Sequence, residues 1–227
     1  MTRILAFETS AQQCSVAISY NDEMVQKVHT VPRTHNEHIH DLVRSVLAEA
    51  GLGLPDIDYM AVSIGPGSFT GIRLGLSVVQ GFAYGCGVPV IPISTLAAMA
   101  EYGYQQAPMV EKPLLIGLDA RMGQIYWALY QKSPTRLVEA VCPDALSNPA
   151  DIVLPQAGYA IGPGWGAYQD NLSVHIQSLI HKQAASIIPY AASVARLARV
   201  NINQAIAPEA LQAQYLRNQV AHAKKMA

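Results

Sequence analysis

The sequence predicts an α/β protein made of two duplicated units, each a mixed sheet flanked by helices, and three observations carry that expectation. Short β-rich runs alternate with segments of helical periodicity. The segment Ile64-Gly65-Pro66-Gly67 recurs 97 residues later as Ile161-Gly162-Pro163-Gly164. An acidic residue closes the first strand of each unit: Phe7-Glu8 aligns with Leu118-Asp119, and residues 14–18 with 125–129, at an offset of 111. Two echoes in the same order, with 14 fewer residues between them in the second copy, imply a duplicated unit whose helix over 34–50 has shrunk.

Residues 4–7, 14–20 and 24–30 read as three consecutive strands, with Asn21-Asp22 as the clearest turn. Apolar residues then recur at three and four (Ile39, Leu42, Val43, Val46, Leu47, Ala50), giving a helix that Gly51 stops and that Thr34 with Glu37 opens as a capping box. Residues 59–64 follow as a strand, 70–84 as a helix and 88–93 as a buried strand, and Ser94 caps a further helix through Tyr102. The pattern loosens over 105–113 and a strand-turn-strand reading restarts at Leu114. The expected division is therefore an N-terminal subdomain of residues 1–106, carrying the dimerisation helices, and a C-terminal subdomain of residues 107–227. Each has antiparallel edge strands and a parallel core, and the two face each other across a cleft. Late helices are expected over 189–200, with Pro189 at its start, and over 210–217, with a frayed tail over 221–227.

Apolar residues make up 51% of the chain and charged ones 14%, against about 25% charged in an average soluble domain. Disorder is excluded, and few charges remain to coat the surface, which favours a partly apolar face that a partner covers. The net charge of −1 gives no overall field toward phosphate backbones or anionic membranes, so any RNA contact is local or borrowed from a partner. Cys14, Cys86 and Cys142 are odd in number and far apart, which fits a reducing compartment. Residues 74–100 carry no charge, but Gly75, Gly81, Gly85, Gly87, Pro89 and Pro92 divide them into helix, turn and strand instead of a membrane span. Glu8 arrives before a signal-peptide apolar region is long enough, so a cytoplasmic protein is expected.

Candidate chemistry is sparse. Gly65-Pro66-Gly67-Ser68-Phe69-Thr70-Gly71 lies between a strand and a helix, where Gly67 and Ser68, with Ser10 nearby, either cradle an anion or form a tight turn in which Ser68 or Thr70 caps the helix. Glu8 and Asp119 close equivalent strands and so either hold a magnesium ion in the cleft or serve structure only. Asp119 and Arg121 are equally readable as a salt-bridged turn or a substrate-facing pair. His35 and His38 share a helix face, but no further ligand completes a metal set. There is no Gly-x-Ser-x-Gly, and the cysteines sit in contexts that raise their pKa. No catalytic residue, metal or cofactor is assigned.

The helix over 70–84 carries small residues four apart, Gly71 with Gly75 and Gly81 with Gly85, so a neighbouring helix can approach closely. Leu74, Val78 and Phe82 add more apolar surface than one buried stripe needs, and Ile39, Leu42, Val43 and Val46 enrich the preceding helix in the same way. Either all of this is core, or the two helices make a four-helix contact with a second subunit.

The segments 4–10, 14–18, Ile64-Gly65-Pro66-Gly67-Ser68-Phe69-Thr70-Gly71-Ile72-Arg73-Leu74-Gly75 and Leu118-Asp119-Ala120-Arg121 together resemble the bacterial TsaB family, also called YeaZ. The resemblance implies an actin/Hsp70/sugar-kinase-like fold. It implies a part in placing threonylcarbamoyl on the adenosine beside the anticodon of tRNA (the t6A modification), as a non-catalytic subunit. In that family the paralogue TsaD holds the metal and catalyses, TsaE supplies ATPase activity and TsaC makes the threonylcarbamoyl-adenylate. The paralogue's His-x-x-x-His pair is absent, since the histidines here stand at 35, 38 and 40. The expected partners are TsaD directly, TsaE within the complex, a second copy as homodimer, and tRNA only indirectly. The alternatives are an ATP-dependent phosphotransferase of the sugar-kinase type using Glu8 and Asp119, or a glycoprotease-like metallopeptidase.

Overall fold

A computed structural model describes residues 2–30, 35–107, 111–184 and 187–217 of the chain. The run Ile-Leu-Ala-Phe-Glu is buried on both faces, which marks β1 (Ile4–Glu8) as a central strand. It pairs antiparallel with β2 (Cys14–Tyr20), which turns into β3 (Glu23–His29) through Asn21 and Asp22 at φ 44° and 64°, a left-handed pair suited to a two-residue hairpin. The helix α1 (His35–Ala50) and a 3-10 turn at Leu54–Asp56 lead to β4 (Tyr59–Gly65), which lies parallel to β1 on its other side. Next come α2 (Phe69–Cys86), the edge strand β5 (Val90–Ser94) and α3 (Thr95–Gln106). The sheet order is β3-β2-β1-β4-β5.

The second unit repeats this pattern. β6 (Leu114–Asp119), β7 (Ile125–Ser133) and β8 (Leu137–Ser147) form an antiparallel meander, and β9 (Gly158–Ile161) then returns parallel to β6. The short helices α4 (Gly164–Ala167) and α5 (Val174–Leu179), β10 (Ile180–Ala184) and α6 (Ala191–Val200) complete it, in the sheet order β8-β7-β6-β9-β10. The place of α1 is taken by a single 3-10 turn, Pro149–Asp151, which is the expected shrinkage.

The two units share one interior instead of facing each other across an open cleft. Ile4, Ala6 and Ile91 of the first sheet and Ile116, Ala128 and Ile161 of the second pack on Leu96 and Met99 of α3 and Val194 and Leu197 of α6 in one cluster. Inside this layer the Arg196 guanidinium donates to both carboxylate oxygens of Glu101, at 2.5 and 3.0 Å. The N-terminus of α6 is closed by the other unit: Ala191 N–H donates to Ser15 Oγ (2.9 Å) and Ala192 N–H to Gln26 Oε1 (2.8 Å). The outer face of the first sheet is covered by α1 and α2, and that of the second by α4 and α5 around Trp165 and Ile176.

The helix expected over 210–217 is not formed. After a 3-10 turn at Pro208–Ala210 the chain runs without regular structure and its backbone bonds outward: Gln214 N–H donates to Ile64 O (2.8 Å), and just before the turn Val90 and Ile206 exchange two hydrogen bonds (2.9 and 2.8 Å). Residues 202–217 thus return to the first sheet. The capping residue Thr34 and the tail over 221–227 lie outside the described residues. Among those described, no helix is long and apolar enough to cross a membrane.

Candidate functional site

Two places qualify: the strand ends that carry Glu8 and Asp119, and the outward face of α1 and α2. Glu8 is fully buried at the end of β1. Its Oε1 accepts from Ser10 N–H (2.6 Å) and Ser10 Oγ–H (2.5 Å), and Oε2 accepts from Ser63 Oγ–H. Burial pushes the carboxyl above its ordinary range, and these three bonds oppose that shift without reversing it. Burial, and then the Glu8 charge, push the neighbouring Cys14 thiol up to about 12.

The loop after β4 closes over this carboxyl. Ser68 N–H donates to Ser10 O (2.8 Å), and a Cβ on Gly67 would fall 2.7 Å from that same oxygen, so only glycine fits there. Ser68 Oγ accepts from Gly71 N–H and caps α2. The chain's own Ser10 carbonyl therefore sits where an anion was one reading of the loop.

Asp119, at the equivalent strand end, is engaged differently. Its Oδ1 accepts from Arg121 N–H (2.7 Å) and Tyr168 Oη–H (2.8 Å), while Arg121 Nη1 lies 2.9 Å from Oδ2. Arg121 and Met122 adopt left-handed φ of 62° and 57° in this turn. Each acid is thus spent at its own strand end, and the structure does not bring Glu8 and Asp119 into one open site for magnesium. His38 stacks on His29 with ring centroids 3.9 Å apart. Among the described residues no group of three or more His, Cys, Asp or Glu is placed to hold a metal.

The expected interface residues divide into two sets. Ile39, Val43 and Val46 are at most 2% exposed and belong to the chain's own core, because the three-and-four stripe of α1 faces the sheet. Gly71 and Gly75 are buried too, and what approaches them is Thr9, not a helix: Thr9 Oγ1 donates to Gly71 O (2.7 Å). A Cβ at Gly71 would lie 2.0 Å from Thr9 O, and one at Gly75 2.3 Å from Thr9 Oγ1.

Leu42, Leu74, Val78 and Phe82 remain half-buried at the surface. Beside them Gly81 and Gly85 face open space, and Tyr84 is 63% exposed. α2 carries no charge beyond Arg73. Of the expected set, about half, on the outer side of α2 and the edge of α1, thus stays at the surface.

The contacts of Leu211, Gln214, Tyr215 and Arg217 do not show in the sequence because 210–217 reads as a helix. The period-two alternation of Leu211 and Ala213 with Gln212 and Gln214 after Pro208 was the available signal.

A family model described as TsaD: tRNA N6-adenosine threonylcarbamoyltransferase matches residues 23–226. The tRNA threonylcarbamoyladenosine biosynthesis protein TsaB of Escherichia coli (strain K12) is 34% identical over 233 residues, covering 98% of this chain and 97% of that protein. The protein of the same name from Haemophilus influenzae is 33% identical over 234 residues, covering 96% and 94%. The solved structure of YeaZ from Pseudomonas aeruginosa superposes with a TM-score of 0.87 at 29% identity, covering 95% of this chain and all of that one, 100%.

Proposed function

The chain belongs to the TsaB (YeaZ) family of tRNA threonylcarbamoyladenosine biosynthesis proteins, and we propose that it is the non-catalytic subunit which binds and activates TsaD through the outer face of α2. The observation that carries this reading is the half-buried strip of Leu74, Val78 and Phe82, bordered by Gly81 and Gly85, where a second helix can lie close against the backbone. A helix packed there removes apolar surface that the chain's own fold leaves wet. The same strip supports self-association when the partner is absent, with TsaE joining the assembled complex.

Two further features favour a supporting role over catalysis. The carboxylate that closes β1 is sealed, and its counterpart is tied to Arg121 and Tyr168, so neither is presented to a substrate. All three cysteine thiols have raised pKa values, first through burial, and so are weak nucleophiles at neutral pH. The chain contributes a shaped, dry surface, and the chemistry resides in the protein that docks on it.

Reconstitution tests this. Threonylcarbamoyl transfer to tRNA is measured with TsaD, TsaE and TsaC present, with and without this chain, and with this chain in place of TsaD. Stimulation in the first comparison and no product in the second are expected. Product formed without TsaD would overturn the non-catalytic assignment.

A further inference from the structure

We propose that residues 211–217 are a clasp that ties the strand ends of the two units together, so that loosening it at either end loosens it at the other. The segment follows a helix of the second unit, yet its first anchor lies in the first: Leu211 is 4% exposed within the core under α1 and α2. Gln80 Nε2 of α2 donates to Pro208 O (3.1 Å) and Leu211 O (3.3 Å) beside it. The strap then passes directly over the end of β4. There Gln214 N–H bonds Ile64 O, and Gln214 O lies 2.9 Å from where a Cβ on Gly65 would stand. Three residues on, the Arg217 Nη2 reaches the other unit, at 3.1 Å from Ala120 O, 3.3 Å from Arg121 O and 2.8 Å from Gln124 Oε1.

Only three residues separate the Gln214 bond to β4 from Arg217, and an extended chain spans roughly 10 Å over three residues, so little slack lies between the two anchors. A slack linker would let the ends move independently, whereas a short strap pinned at both ends does not. Two neighbouring features reinforce the crossing. Asp144 of β8 accepts from Ser94 of the first unit (2.5 Å), from Tyr130 of the second (2.9 Å) and from the Gln214 side chain, so one carboxylate joins both units and the strap. The turn that Arg217 grips holds two non-glycine residues at left-handed φ, Arg121 and Met122, a conformation that persists when surrounding contacts fix it. Between the anchors, Tyr215 Oη accepts from Arg73 Nε (2.9 Å), so the clasp also touches the first turns of α2.

The test perturbs one end and reads the other by residue-resolved amide hydrogen exchange on the full chain. Leu211→Ala removes the first-unit anchor and is expected to speed exchange of Ala120 and Gln124, whose N–H groups bond Gln124 O and Arg121 O inside the second-unit turn. Arg217→Ala removes the second-unit anchor and is expected to speed exchange of Gln214, whose N–H bonds Ile64 O of the first unit. Each effect should be about tenfold or more, the size expected for losing hydrogen bonds to the charged Arg217 in one variant and a buried leucine side chain in the other. Arg217→Lys, which keeps the charge but not the planar fork, should fall between. Amides of α6 such as Val194 should not change, which separates clasp release from global unfolding. Changes confined to the neighbourhood of the anchor removed, with none at the other anchor, would overturn the proposal in either variant, and Arg217→Ala alone decides if Leu211→Ala does not fold.

Discussion

Adding one methyl group to α2 should have opposite effects depending on where it is placed. At Gly75 the new Cβ would stand 2.3 Å from Thr9 Oγ1, well inside the closest real contact, so Thr9 or the helix must move by about 1 Å. Overpacking of this kind costs about 1–3 kcal/mol. The shift also endangers the 2.7 Å bond from Thr9 Oγ1 to Gly71 O, worth about 1 kcal/mol. Replacing a helical glycine by alanine returns about 1 kcal/mol. Gly75→Ala should therefore lose about 1–3 kcal/mol, a fall in Tm of about 2–4 °C per kcal/mol for a chain of this size. At Gly81 nothing lies within 4 Å, and only the propensity gain of about 1 kcal/mol remains. Urea unfolding at constant m gives both values. A Gly75→Ala variant as stable as the parent, or a Gly81→Ala variant less stable by more than 1 kcal/mol (about one propensity step), would refute the packing argument. In the complex the order should invert at Gly81: a variant that stabilises the free chain should weaken docking.

Burial holds the Glu8 carboxyl above its ordinary 4.5, so the folded state binds that proton more tightly than the unfolded chain. The stability it adds is complete below 4.5 and is lost as pH rises through the folded value, and Asp144, raised mainly by burial, gives a slope of the same sign above 3.8. Glu8→Gln should flatten the decline that begins above pH 4.5, and should stand above the parent at the alkaline end. An unchanged slope in urea titrations would contradict this. Glu101→Gln leaves Arg196 without its carboxylate, and because that arginine is 29% exposed the loss should be about 1–3 kcal/mol, short of the 3–5 kcal/mol of a fully buried pair. Thermal unfolding reads that difference. Calorimetry with ATP and magnesium should give only heat of dilution, and stoichiometric tight binding would restore the phosphotransferase reading.

The duplication was legible because it is written twice. The Ile-Gly-Pro-Gly echo and the two acidic strand ends fall at equivalent positions, Gly65 with Gly162 and Glu8 with Asp119, and the sheet orders match strand for strand. What periodicity could not convey is which way a stripe faces. Ile39, Val43 and Val46 share one side of α1, and that spacing is the same whether the side meets a sheet or a partner. Gly71 and Gly75 signal close approach, but a loop carrying Thr9 satisfies the signal as well as a helix does. What closes the N-terminus of α6, and the course of 206–217, were invisible for another reason. Their backbone partners, Ser15, Gln26, Ile64 and Val90, lie more than 100 residues away in the chain, beyond any local pattern.

The most direct test of the proposed docking face is the affinity of the purified chain for TsaD from the same organism, measured by calorimetry for the parent and for Leu74→Glu. Burying a charge in a dry helix contact should weaken binding by about 100-fold or more, with an unchanged unfolding curve for the half-exposed residue. Equal affinities for the two would show that the outer side of α2 is not where the partner sits.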